Sequence, residues 1–159
     1  MEKTNVMRIL DAARVPYEPH AYGDGTALSG VEVAALLGIP PERVFKTLVT
    51  TGKSGKHYVF VVPVACGLHL KRAAQAVGEK SVEMLKQKEL LPLTGYVHGG
   101  CSPIGMKKPL PTILDASAEG QERILFSAGK IGYQVELAPE ALRALVDCRL
   151  ADIAQPEEP

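Results

Sequence analysis

No one sign of charge dominates this chain: Lys and Arg total 18, Asp and Glu total 18, and the formal net charge is zero. That argues against a strongly basic nucleic-acid-binding domain and leaves any RNA contact to a local basic patch. Cysteine is scarce. Cys66, Cys101 and Cys148 are odd in number and far apart, with no CxxC pair. Neither a disulfide framework nor a zinc knuckle is indicated, which suits a reducing compartment. Long apolar runs are missing as well: Val59 to Cys66 is broken by Pro63 and is too short to span a membrane. The opening Met1-Glu-Lys-Thr-Asn lacks the basic-then-apolar order of a signal peptide, so the cytoplasm is the expected location.

Several catalytic signatures are also missing. Gly52-Lys53-Ser54 would suit a phosphate-binding loop, but Thr47 stands where its first glycine is required. No GxSxG occurs, so a hydrolase elbow is not supported. His20, His57, His69 and His98 show no HxxxH spacing, which speaks against a zinc site.

What is present suits one soluble globular domain: 159 residues, 46% hydrophobic and 23% charged. Val6, Ile9, Leu10 and Ala13 repeat at helical spacing, predicting a helix over 4–14, and 17–22 reads as a short strand. Ser29 and Glu32 form a capping box that opens a second helix. Its expected inner face is Val33, Leu36 and Leu37, and Gly38 with Pro40 ends it. Two β-rich runs, 43–51 and 57–64, flank the turn residues Gly52 to Gly55 and predict a hairpin. Leu70, Ala73, Ala74 and Val77 define a third helix with Lys71 and Arg72 on its wet side. Residues 95–111 are rich in glycine and proline and read as a long ordered loop. Strands resume at 112–115, 124–127 and 133–137, and Pro139 opens a last helix with Leu142, Leu145 and Val146 inward. The order gives a mixed α/β domain over 1–154, and 155–159 is expected to fray.

Three features are candidates for chemistry. Lys46 alternates with Val44 and Leu48 in a strand that is apolar on both faces. Such a lysine either snorkels to water from an edge strand, or lines a cleft and stabilises a substrate oxyanion. Gly99-Gly100 in the run Tyr96 to Gly105 is either a tight turn or a nest of backbone N–H groups for an anion. Ser127 ends an apolar strand, where it either turns the chain or faces a pocket. Cys101 and His98, three apart, are a possible pair, but a cysteine in a glycine loop is more often packing than nucleophile.

Taken together, the motifs resemble the YbaK/EbsC family. They are Val44-Phe-Lys46-Thr-Leu, Pro63-Val, Gly99-Gly-Cys-Ser-Pro-Ile-Gly105 with Lys107-Lys108, Leu110-Pro-Thr-Ile-Leu-Asp115, Ser127-Ala-Gly129-Lys130 and Glu136-Leu-Ala-Pro139. The family is similar to the editing domain inserted in bacterial prolyl-tRNA synthetases. The resemblance implies a mixed, partly barrel-like β-sheet surrounded by helices, and hydrolysis of mischarged aminoacyl-tRNA, best known for cysteine on the proline tRNA. It implies catalytic roles for Lys46, Gly99 and Gly100, and substrate contacts for Tyr22, Ser127, Gly129, Ser102 and Gln134, although some relatives carry aspartate where this chain has Gln134. Lys71, Arg72, Lys107 and Lys108 are the candidate phosphate contacts. Neither cofactor nor metal is expected; the expected partners are tRNA and a prolyl-tRNA synthetase. Editing of Ala- or Ser-tRNA, and a non-catalytic nucleotide- or amino-acid-binding module, are the alternatives.

Overall fold

The computed structural model describes residues 1–23 and 26–157. Helix α1 (Asn5–Ala12) starts at Thr4, whose hydroxyl accepts from the Met7 amide, and it buries Val6, Met7 and Leu10. It is shorter at both ends than its apolar spacing predicts, since only these three positions reach the core. Strand β1 (Glu18–Ala21) follows. Helix α2 (Gly30–Leu37) opens on the Ser29–Glu32 capping box, with both reciprocal bonds formed, and ends at left-handed Gly38. Its buried face is Val33 and Ala34. Leu36, expected inside, is 56% exposed, because the helix packs through Ala34 against Val44, Val64 and Leu125.

The hairpin forms as β2 (Phe45–Gly52) and β3 (His57–Pro63), in register from Phe45↔Pro63 to Thr51↔His57. Then come β4 (Cys66–Leu68), α3 (Leu70–Val77), β5 (Val82–Met84) and α4 (Gln87–Thr94). Leu70 opens the first turn of α3 and is exposed, while Ala73 and Ala74 are buried. After the long loop come β6 (Thr112–Asp115), β7 (Ile124–Ser127), β8 (Tyr133–Leu137), α5 (Pro139–Leu145), β9 (Cys148–Ala151) and β10 (Ala154–Pro156). The expected fraying of 155–159 is therefore corrected in part. Gln155 and Pro156 pair with Gly67 and Cys66, and Glu158 and Pro159 lie outside the described residues.

One sheet has the order β5-β2-β3-β6-β9, a second β1-β8-β7, and β10-β4 forms a two-stranded ribbon. The β3–β6 and β6–β9 pairs are parallel and the rest antiparallel. The sheets do not close into a barrel; a single parallel bridge between Val44 and Leu125 joins the larger two. The main core packs Phe45, Val49, Phe126, Leu137 and Leu142 against α1. Each such large side chain contributes about 1.5–3 kcal/mol by leaving water. No described helix is long and apolar enough to cross a membrane.

Candidate active site

Pairing along β2 is unequal on its two edges. Strand β3 covers one edge throughout, whereas β5 covers the other only at Thr50–Gly52. The Leu85 amide bonds to the Val49 carbonyl at 3.0 Å, and beyond it this edge of β2 opens into a cleft of about 450 Å³. The opposite wall comes from the start of α2, from Gln87 and Leu90 of α4, from the His98–Cys101 loop, and from Tyr22, Ser127 and Gln134. Helix α2 can form this wall because Gly30 lies hard on Val64: a Cβ there would fall 2.4 Å from a Val64 methyl.

Period-two alternation sends Phe45 and Val49 into the main core and Lys46 to the other face, opposite Val62. The Lys46 side chain is 27% exposed. Its Nζ donates to Glu157 Oε1 at 3.1 Å, and Glu157 directly follows β10. Lys46 is the only Lys or Arg among the described residues lining the cleft, and none of them is Asp or Glu. Both sequence readings of Lys46 therefore meet here: the strand is an edge at this point, and the edge is a cleft wall.

The structure brings Lys46, Gly99, Tyr22, Ser127 and Gln134 to one cavity. Gly99, at φ +89, takes a backbone conformation that favours glycine. Gly100 is a correction: it is buried, and its amide donates to the Val97 carbonyl at 3.0 Å, so it is not free for an oxyanion. Ser102 is a second correction. It is fully buried away from the cleft, where its Oγ accepts from the Ile104 amide. Gly129 does not line the cavity; its amide donates to Ser127 Oγ at 3.0 Å and so orients that hydroxyl. Cys101 does line it, and burial pushes its thiol up to about 12, so it stays protonated near neutrality. Burial likewise lifts the Tyr96 phenol to about 12; its hydroxyl donates to the Ile104 carbonyl and fixes the far side of the loop.

Thr47 lines the cleft but was not among the expected site residues, and His98, considered only beside Cys101, lines it too. The signal for Thr47 was its place between Phe45 and Val49, a hydroxyl on the face those residues bury. None of the four candidate RNA contacts lines the cleft. Lys71, Lys107 and Lys108 are exposed. Arg72 is tied to the β10 segment, donating to the Ala154 carbonyl at 2.6 Å and pairing with Asp152 at 3.7 Å. Glu18, His20 and Glu136 offer ligand atoms within 4.8 Å of one another. Glu136, however, already accepts from His20 at 2.8 Å and from Arg43 at 2.9 Å. The Arg43 cation neutralises the charge a metal would need, so the trio reads as a clamp between β1 and β8.

Residues 26–145 match the family described as Aminoacyl-tRNA editing domain. A protein of Enterococcus faecalis, described as a candidate Cys-tRNA(Pro)/Cys-tRNA(Cys) deacylase, EbsC, is 46% identical over 98% of this chain and 96% of its own length. A crystal structure described as a candidate trans-editing enzyme for prolyl-tRNA synthetase superposes with a TM-score of 0.81 at 26% identity, covering 94% of each chain. The proline–tRNA ligase of Pelobacter propionicus is 25% identical over 62% of this chain, which spans only 17% of that ligase.

Proposed function

The chain belongs to the aminoacyl-tRNA editing domain family, and on that premise we propose that it deacylates mischarged tRNA, with Cys-tRNA(Pro) as its main substrate. One observation carries the reading: the only Lys or Arg lining the cleft among the described residues is Lys46, on the uncovered edge of β2.

The substrate is an ester, activated enough that positioning and oxyanion stabilisation suffice. The Lys46 ammonium meets the carbonyl oxygen as it gains charge. The Gly99 segment supplies the backbone wall, and the Gly129-oriented Ser127 hydroxyl keeps its proton free to donate to the substrate. Glu157 holds Lys46 through a partly exposed ion pair, a contact of the kind that contributes little and is readily displaced. Cys101 is not the nucleophile, because its thiol stays protonated. The thiol of a cysteinyl substrate serves instead by attacking its own carbonyl. The bond between that carbonyl and the ribose oxygen then breaks, the ribose oxygen takes the thiol's proton, and water opens the resulting thiolactone to free cysteine.

Lys71, Lys107 and Lys108 remain the candidate phosphate contacts; Arg72 is the weakest of the four because its guanidinium is already engaged. With zero net charge the affinity for isolated tRNA is modest, and a prolyl-tRNA synthetase is the partner that would retain the tRNA. This activity belongs in the cytoplasm, where tRNA is charged. The test is release of free amino acid from Cys-, Ala- and Ser-tRNA by the purified protein. Fastest release from Cys-tRNA(Pro) supports the proposal; no release from any ester sinks it.

A further inference from the structure

Among the described residues, three buried side-chain polar atoms have no hydrogen-bond partner: Thr47 Oγ1, Gln134 Oε1 and Arg72 Nε. The Arg72 guanidinium is satisfied through its other nitrogens. The remaining two belong to residues that line one cavity, the cleft of Lys46. They come from different sheets, Thr47 from β2 and Gln134 from β8. A buried polar atom without a partner costs stability, and folds retain such atoms where a ligand completes them.

The chemistry of the two atoms defines that ligand. An amide oxygen only accepts, and a hydroxyl oxygen accepts while donating its own proton. Beside them Ser127, paired with Gln134 across β7–β8, already accepts from Gly129. A group with two donors matches both oxygens at once. With no Asp or Glu among the described lining residues, it is recognised through its N–H bonds and not through a counter-ion. An aminoacyl ester carries one such group, its α-amino nitrogen. A primary amine has two N–H bonds when neutral and three when charged. The ring nitrogen of proline has one fewer in either state, and a ring carbon occupies that direction.

We propose that Thr47 and Gln134 receive the neutral α-amino group of the aminoacyl ester and, by requiring two N–H donors, favour primary amino acids over proline. This rests on the deacylase reading above. Cognate prolyl-tRNA, whose neutral ring nitrogen has a single N–H, would leave one acceptor unmatched, and a site built around hydrogen bonds rejects a ligand lacking one far more strongly than an apolar pocket rejects a lost methylene.

The test uses the near-isosteres Thr47→Val, which removes the hydroxyl, and Gln134→Met, which removes the side-chain amide. Each variant is melted, and kcat and KM are measured on Cys-tRNA(Pro) and Pro-tRNA(Pro). Because the Thr47 hydroxyl has no partner in the protein, Tm of Thr47→Val should hold or rise. KM for Cys-tRNA(Pro) should increase about tenfold, the scale of one hydrogen bond, with kcat little changed. The preference for the cysteinyl over the prolyl ester should shrink. An unchanged preference and KM in both variants would overturn the proposal, whatever Tm does. If the unsubstituted protein hydrolyses neither ester, it is the deacylase reading that has failed.

Discussion

At Thr50–Gly52, β2 is bonded on both edges; at Phe45–Leu48 only one edge carries a strand of the sheet, and the other opens on the cleft. The same strand is scaffold at one end and site wall at the other. The residues follow that division. Thr50 is fully buried and its hydroxyl donates to the Tyr58 carbonyl at 3.2 Å, whereas the Thr47 hydroxyl, three residues earlier, has no partner. Both ends carry a threonine in the same strand, and what separates their surroundings is the three residues of β5.

The largest effect that tests this contrast is at the open end. Lys46→Ala should lower single-turnover deacylation by at least ~100-fold, the scale of losing one oxyanion donor. Circular dichroism and Tm should stay near wild type, since the partly exposed lysine supports no core. Wild-type turnover in a folded variant would show that the open edge is not the active wall.

Next in size is a change in the closed part of the sheet. Asp115, at the end of β6, accepts from the Ile153 and Ala154 amides at 3.0 and 2.9 Å and so holds the start of β10. Burial pushes its carboxyl upward, but the bonds from Ser117, Ile153 and Ala154 outweigh that and hold it below the usual aspartate range. A depressed carboxyl stabilises the fold above its unfolded value near 4, and that contribution fades as pH falls through the native value. Asp115→Ala should cost about 1.5–3 kcal/mol in urea melts at pH 7. Asp115→Asn should flatten the loss of Tm between roughly pH 5 and 2; an unaltered acid limb would show that another carboxylate sets it.

Thr50→Val sharpens the comparison directly. Losing a satisfied hydroxyl should reduce stability by about 1 kcal/mol while leaving KM alone, the reverse of what Thr47→Val should do. Equal behaviour of the two valine variants would erase the distinction between the ends of β2. The smallest change expected is Cys101→Ala. With a thiol pushed up to about 12, Cys101 carries too little thiolate near neutrality to act as nucleophile. Deacylation should stay within about threefold of wild type, because packing of one small side chain is all that is removed. A loss matching that of Lys46→Ala would point to a thiol hydrolase.

Much of this was legible in the chain. The capping box, the hairpin and the Pro139 helix start follow from local chemistry, and they formed where the residues put them. Strands of three residues, such as β4, β5 and β10, have too few alternations to show a period, so only tertiary pairing reveals them. That is why Gln155 and Pro156 read as tail. The site was legible as residue types but not as directions. Gly99 and Gly100 are equivalent in sequence, yet one faces the cleft while the amide of the other is used in a turn. Ser102 likewise points inward, a fact no spacing encodes. Leu36 was misplaced because the helical period alone does not say which neighbours the helix meets.

The parallel pairs have a consequence for how the protein is made. Strand β3 needs β6, and β6 needs β9, so the sheet behind the cleft stays incomplete until residue 151 has left the ribosome. The second sheet waits too, since His20 finds Glu136 only 116 residues further along. Distant pairings of this kind form slowly and leave apolar edges uncovered in the meantime. The nascent chain would carry Phe60 and Val61 paired to β2 on one edge but uncovered on the other until Ile113 and Leu114 have emerged.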